Sequence, residues 1–312
     1  MVERKSDSFI RYAWFALAYN LLVIIWGVFL RASYSGDGCG QHWLTCQGEA
    51  IPSAPELKTV IEFSHRITTM LAGLVVLGLL VWAFRKFQKG HVVRKLAVLS
   101  FVFILIEGAI GGGLVLTGNT AANWTPSRPL WTAGHLINTF ILLALLALTA
   151  WFAGRGNRET RKVPSHDIAL IVIGTAAILI VGISGSMAAL STMLFPSGSL
   201  AEGIARDFDP DSHVLLRLRI FHPILSVLTA VYVLFLSALI RRNAPGSAEV
   251  AKWSKALPVL VVLQIVFGAA TLLTLGPILM QLGHLLLADL VWIAFVLLCA
   301  SYVTDDPVSE FG

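Results

Sequence analysis

Four histidines stand inside long apolar stretches: His65, His135, His222 and His284. Imidazole is rare in hydrocarbon, and where it occurs it faces the bundle interior and has a partner. Its ordinary use there is a hydrogen bond across helices, about 0.6 kcal/mol on average. Here the four lie on alternate stretches, each roughly five to eight residues from the outward end, or about 8–12 Å below the surface at helical rise. Matched depth favours a second use. Two facing imidazoles are a natural axial-ligand pair for a haem iron, and bundle cores are where such sites are built.

The neighbours of these histidines extend that chemistry. Arg66, Arg128, Arg217 and Arg219 are candidate partners for haem propionates, and each also reads as an interfacial anchor that snorkels. Glu62 shares a helix face with His65, where a carboxylate can abstract or shuttle protons. An equal reading pairs it with Arg66, its i+4 neighbour, as a solvated ion pair at the membrane edge. The place before His222 that matches Glu62 holds Arg219. Glu107, deep in its stretch, is a second carboxylate candidate, and its matching residue, Gln264, favours hydrogen bonding. Gly111, Gly112 and Gly113, with Gly268, Ala269 and Ala270, leave room for a macrocycle or let helices pack closely. His42, His213, His91 and His166 fall in loops and turns and read as solvated.

The elements that must position these groups are membrane spans. Of 312 residues, 56% are hydrophobic and 13% charged, with a mean hydropathy of +0.78; a soluble domain carries about twice that share of charge. Stretches at 12–31, 60–84, 96–117, 129–153, 167–190, 214–240, 253–275 and 278–302 are each long enough for a bilayer core about 30 Å thick. The first follows a basic start but reads as a span, since it is long for a signal peptide and lacks a convincing cleavage site. Only 32–59 and 191–213 are sizeable connections, the latter read as an amphipathic cover over the second histidine pair.

The basic residues set the expected topology. Arg4, Lys5 and Arg11, then Arg85, Lys86, Lys89, Arg94 and Lys95, then Arg155, Arg158, Arg161 and Lys162, then Arg241, Arg242, Lys252 and Lys255 mark alternate ends of successive spans. That is the positive-inside pattern. It predicts cytoplasmic termini, places both long loops outside, and accounts for the net charge of +5 without a nucleic-acid partner.

An internal repeat orders the motifs. Phe63-Ser64-His65-Arg66-Ile67 matches Ile220-Phe221-His222-Pro223-Ile224, Glu107 to Gly111 matches Gln264 to Gly268, and Gly134-His135-Leu136 matches Gly283-His284-Leu285. The same order about 150 residues apart predicts an all-α integral membrane protein, with eight transmembrane helices as two tandem pseudo-symmetric four-helix bundles. The expected halves are 1–155 and 156–312. Of the three cysteines, Cys39 and Cys46 share the first outward loop, where an oxidising compartment permits a disulfide and reduced thiols are the alternative. Cys299 reads as a buried apolar residue.

The loop Gly38-Cys39-Gly40-Gln41-His42-Trp43 with Cys46, the segment Glu62-Phe63-Ser64-His65-Arg66, the two Gly-His pairs and the duplicated plan together resemble the haem A synthase family (CtaA/Cox15) over essentially the whole chain. The resemblance implies oxidation of the C8 methyl group of haem O to the formyl group of haem A for terminal cytochrome oxidase. It implies a substrate haem in the first half between His65 and His135, with Glu62 as catalytic acid or base. It also implies a haem b between His222 and His284 as electron conduit, and a Cys39–Cys46 disulfide. Haem O synthase, the oxidase assembly machinery, membrane lipid and an unidentified electron acceptor are the implied partners, in the cell (inner) membrane of a bacterium or archaeon. The chain departs from the family in having Pro223 after His222, Leu44 where a proline is common, and no cysteine in 191–213. The alternative is a dihaem cytochrome passing quinol electrons through the same four histidines; a transporter on parallel repeats is disfavoured by the histidines and by the lack of any sign of a broken helix.

Overall fold

The structure is a computed structural model that describes residues 3–155 and 161–304. Arg158, counted above among the basic turn residues, lies outside that range, and the 155/156 division of the halves falls at its edge. The helices are α1 (Glu3–Ala32), α2 (Leu57–Lys86), α3 (Val92–Leu116), α4 (Arg128–Ala153), α5 (Ser165–Leu194), α6 (Leu200–Phe208), α7 (Val214–Arg219), α8 (Phe221–Asn243), α9 (Ala248–Leu273) and α10 (Ile278–Thr304). Eight segments are long and apolar enough to cross a membrane, with α7 and α8 counting together. All eight expected spans coincide with these to within a few residues. Among the described residues there is no strand, only an isolated bridge between Cys46 and Glu49.

Helix ends follow local chemistry. His91 caps α3 by accepting from the Val93 N–H at 3.2 Å, and Ser247 caps α9 by accepting from Val250 at 3.1 Å. Pro129 opens α4 in the first turn, where its missing N–H removes no helical bond. The basic pairs Arg85–Lys86 and Arg241–Arg242 close α2 and α8, where cations complement the helix dipole.

Helices α1, α2, α3 and α4 pack in chain order and α1 returns to α4; α5, α8, α9 and α10 also pack in chain order, with α5 touching α10. The two sets meet along α4 and α10, which are the most covered of the spans. In that seam Phe140 stacks on Trp292 at 5.5 Å, and the Trp292 Nε1–H donates to the Phe140 carbonyl at 2.6 Å. The remaining spans turn Leu74, Val102, Val172, Val231 and Val266 outward, the face that lipid requires. At one end, buried Asp167 of α5 accepts from Tyr302 of α10 at 2.5 Å and from Asn243 of α8 at 3.3 Å, and Arg155 pairs with Glu249.

The sixth span differs from expectation. Its hydropathy predicts one unbroken helix, but it is interrupted at Ile220 between α7 and α8. Pro223 is the physical cause. It has no N–H to donate to the carbonyl of Arg219, and its ring crowds that carbonyl, so the hydrogen-bond ladder is interrupted one turn before it while Ile220 keeps a helical φ of −61° and ψ of −27°. The loop 191–213 also carries a helix of its own, α6, capped by Ser199 and packed on α7.

Candidate functional site

Each second helix of a set brings its histidine against a glycine of the first. A Cβ at Gly27 of α1 would lie 3.0 Å from Cε1 of His65, and a Cβ at Gly185 of α5 only 2.8 Å from Cε1 of His222. The break at Ile220 places His222 in the opening turn of α8, where Ser184 Oγ stands 3.1 Å from its Nδ1. His284 of α10 is seated the same way on Gly268 of α9, with 2.8 Å from a built Cβ to its Cε1. A side chain at any of these glycines would displace the ring. We therefore expect Gly268→Ala to push His284 off position at a stability cost of about 1–3 kcal/mol, read as a lower melting temperature and an altered absorbance spectrum in haem-loaded protein.

The rings of His222 and His284 approach edge to face across the second set, with centroids 6.3 Å apart and planes at 82°. A metal between two imidazoles requires about 2 Å of bond on each side and about 1 Å more from each ring nitrogen to its centroid, so about 6 Å in all. The observed separation fits a bis-imidazole iron. The Nδ1 atoms of His65, His135 and His284 are buried without a hydrogen-bond partner. The donor set and its spacing fit a haem in the second set, and the donor set fits one in the first.

The cysteine loop is clamped to the His65 helix. Cys39 and Cys46 form a disulfide. The Cys39 N–H donates to Glu62 Oε2 at 2.8 Å, and the Thr59 hydroxyl donates to the Gly38 carbonyl at 2.8 Å. Arg66 forms an ion pair with Glu62 and donates to the carbonyls of His42, Trp43 (3.1 Å) and Thr45 (2.8 Å). Far from a solvated pair at the membrane edge, the Glu62 side chain is 4% exposed and that of Arg66 18%. Gly38 belongs here because a Cβ would meet the Lys58 carbonyl at 2.4 Å.

Trp43 reaches from this loop to α3 and fills the space at Gly112, while Trp131 fills that at Gly113. Those two glycines therefore admit indoles, and only Gly111 of the three opens onto free space. The other arginines are similarly engaged. Arg128, buried at the start of α4, donates to the carbonyls of Thr120, Ala121 and Asn123. Arg219 pairs with Asp207 at 2.5 Å and reaches the Gly203 carbonyl, which ties α7 to α6. Arg217 is exposed.

Sequence reasoning missed several contributors. Arg31 ends α1 close enough to Arg128 for their charges to interact, and Gly27 and Gly185 seat imidazoles. Extending the repeat one helix upstream of each histidine would have found the two glycines. His213, expected to be solvated, instead caps α7 and packs on Trp124 and Phe195, with ring centroids 4.7 Å away in each case.

Eight helices long and apolar enough to span, with half-buried histidines set between them, define a multi-pass membrane protein. Over residues 10–296 the chain matches the COX15-CtaA family, described as cytochrome oxidase assembly protein, and it belongs to that family. Among its relatives is a protohaem IX farnesyltransferase of Thermus thermophilus, 43% identical over 291 residues that make up 93% of this chain and 48% of that protein. A haem A synthase of Exiguobacterium sibiricum is 30% identical over 161 residues, 52% of this chain and 51% of the relative. One of Halalkalibacterium halodurans is 38% identical over 102 residues, 33% of this chain and 34% of the relative. The chain spans about half the length, or less, of these curated relatives.

Proposed function

We propose that this chain is a haem A synthase, oxidising the C8 methyl group of haem O to the formyl group of haem A. The observation that carries the reading is the pair of imidazoles 6.3 Å apart in a member of the COX15-CtaA family. Relatives named haem A synthase support the reaction. The two sets of helices are the halves 1–155 and 156–312 of a duplicated unit. In the first, His65 and His135 hold the substrate haem; in the second, His222 and His284 hold a haem b that relays electrons. Bound haem supplies the redox chemistry. The chain's part would be to offer the imidazoles of each pair as ligands, to hold Glu62 near His65 as acid or base, and to cover the first site with the cysteine loop. Propionates fall to the arginines at the outward helix ends, with Arg66, Arg128 and Arg219 also bound to backbone carbonyls and Arg217 exposed.

The Thermus relative is named for farnesyl transfer to protohaem, and 48% of it resembles this chain. The relation supports a farnesylated haem as the substrate here, handed over by a haem O synthase. The basic residues at the ends of α2 and α8 support cytoplasmic termini and outward loops 32–59 and 191–213, in a bacterial or archaeal cell membrane.

The test is to express the chain with haem O available, extract the pigments and separate them. Formyl haem is the expected product, and protohaem with unreacted haem O under the same conditions would overturn the reading.

A further inference from the structure

Glu107 of α3 turns its carboxylate toward α4. Oε1 stands 3.4 Å from Nδ1 of His135 and accepts from the Thr139 hydroxyl. Oε2 accepts from Asn138 Nδ2 at 2.5 Å, and the same amide nitrogen reaches the Phe103 carbonyl at 2.9 Å. Among the described residues, the groups held on Glu107 are thus an imidazole, a hydroxyl and an amide, with no Lys or Arg among them. A carboxylate in a span is costly, and here Thr139 and Asn138 hold it fast with Oε1 at the rear nitrogen of His135.

The second set lacks this arrangement. Gln264 stands four residues before Gly268, as Glu107 stands four before Gly111. Its Oε1 and the Nδ1 of His284 are each buried without a hydrogen-bond partner; the His135 Nδ1 also makes no hydrogen bond, but it has the Glu107 carboxylate 3.4 Å away. A metal-bound histidine ordinarily gives its other N–H to a carboxylate or carbonyl, which sets the tautomer, fixes the ring and strengthens the donor nitrogen.

We propose that Glu107 is the positioning residue for His135: it receives the Nδ1–H, so that Nε2 presents its lone pair to the haem of the first half as a stronger donor than His284 offers in the second. This rests on the reading that His135 ligates a haem. At 3.4 Å the contact is not itself a hydrogen bond, and for Glu107 to act in this way it must shorten to one when a haem is bound. The consequence is an electronic difference between two otherwise similar sites, with the lower reduction potential at the first.

The test uses the full chain carrying His222→Ala and His284→Ala, so that added ferric protohaem has only the first site. In that background His135→Ala is expected to abolish the low-spin spectrum of two-imidazole ligation; an unchanged spectrum removes the site itself, whatever Glu107 does. Glu107→Gln is expected to keep the low-spin spectrum, weaken haem binding about tenfold and raise the midpoint potential. An unchanged affinity and potential, with the His135→Ala spectrum lost, overturn the role given to Glu107. A reciprocal variant removes dependence on one protein's folding. In the chain carrying His65→Ala and His135→Ala, Gln264→Glu is expected to lower the potential of the remaining haem, and no shift there counts against the proposal.

Discussion

Full-length His222→Met, loaded with protohaem, is expected to lose the bis-imidazole spectrum of the second site and to raise that haem's potential by on the order of 0.1 V, because a thioether donates less to iron than an imidazole. The magnitude follows from ligand identity and requires little movement. His222 sits on the first turn of α8 against Gly185, with His284 edge to face with it at 6.3 Å. The first site, on other helices, should keep its spectrum. Redox titration followed at the haem absorbance checks both parts. An unchanged spectrum and potential would mean that the pair at 6.3 Å does not hold iron.

The second large effect concerns Glu62. Glu62→Ala leaves Arg66 at 18% exposure without its counter-charge. Removing one partner of a buried pair costs about 3–5 kcal/mol, and we expect the lower end, since Arg66 keeps its carbonyl acceptors in the cysteine loop. Formyl haem production is expected to fall about a hundredfold or more, the scale of a lost acid or base. The two consequences separate in Glu62→Ala with Arg66→Met. With no stranded charge, that double variant should recover most of the melting temperature and none of the product. If product returns with stability, Glu62 serves only to clamp the loop.

The clamp illustrates where sequence reasoning stopped. An i,i+4 Glu–Arg pair near a helix start looks like a surface ion pair, and local spacing gives no other signal. Its burial comes from a loop some twenty residues upstream that folds back, is closed by the disulfide, and directs the Cys39 N–H and three carbonyls at the pair. Gly112 and Gly113 show the same limit. Small residues announce close approach but do not say whether a macrocycle or an indole arrives, and here the indoles of Trp43 and Trp131 do. Pro223 was readable as a lost donor, yet the unbroken hydropathy around it concealed the helix end at Ile220.

By itself the sequence determined the eight spans and the matched depth of the four histidines. A bilayer admits few backbone solutions, and a helix of known rise converts residue spacing directly into depth. It also carried the family resemblance. Tertiary structure alone decided which groups meet. It seated His65, His222 and His284 on glycines of neighbouring helices, set Glu107 behind His135 while leaving Gln264 and His284 unpaired, and buried Glu62 beneath the cysteine loop. Depth is a property of one helix, whereas a contact depends on the rotation and approach of two. Those are set by packing across the whole bundle.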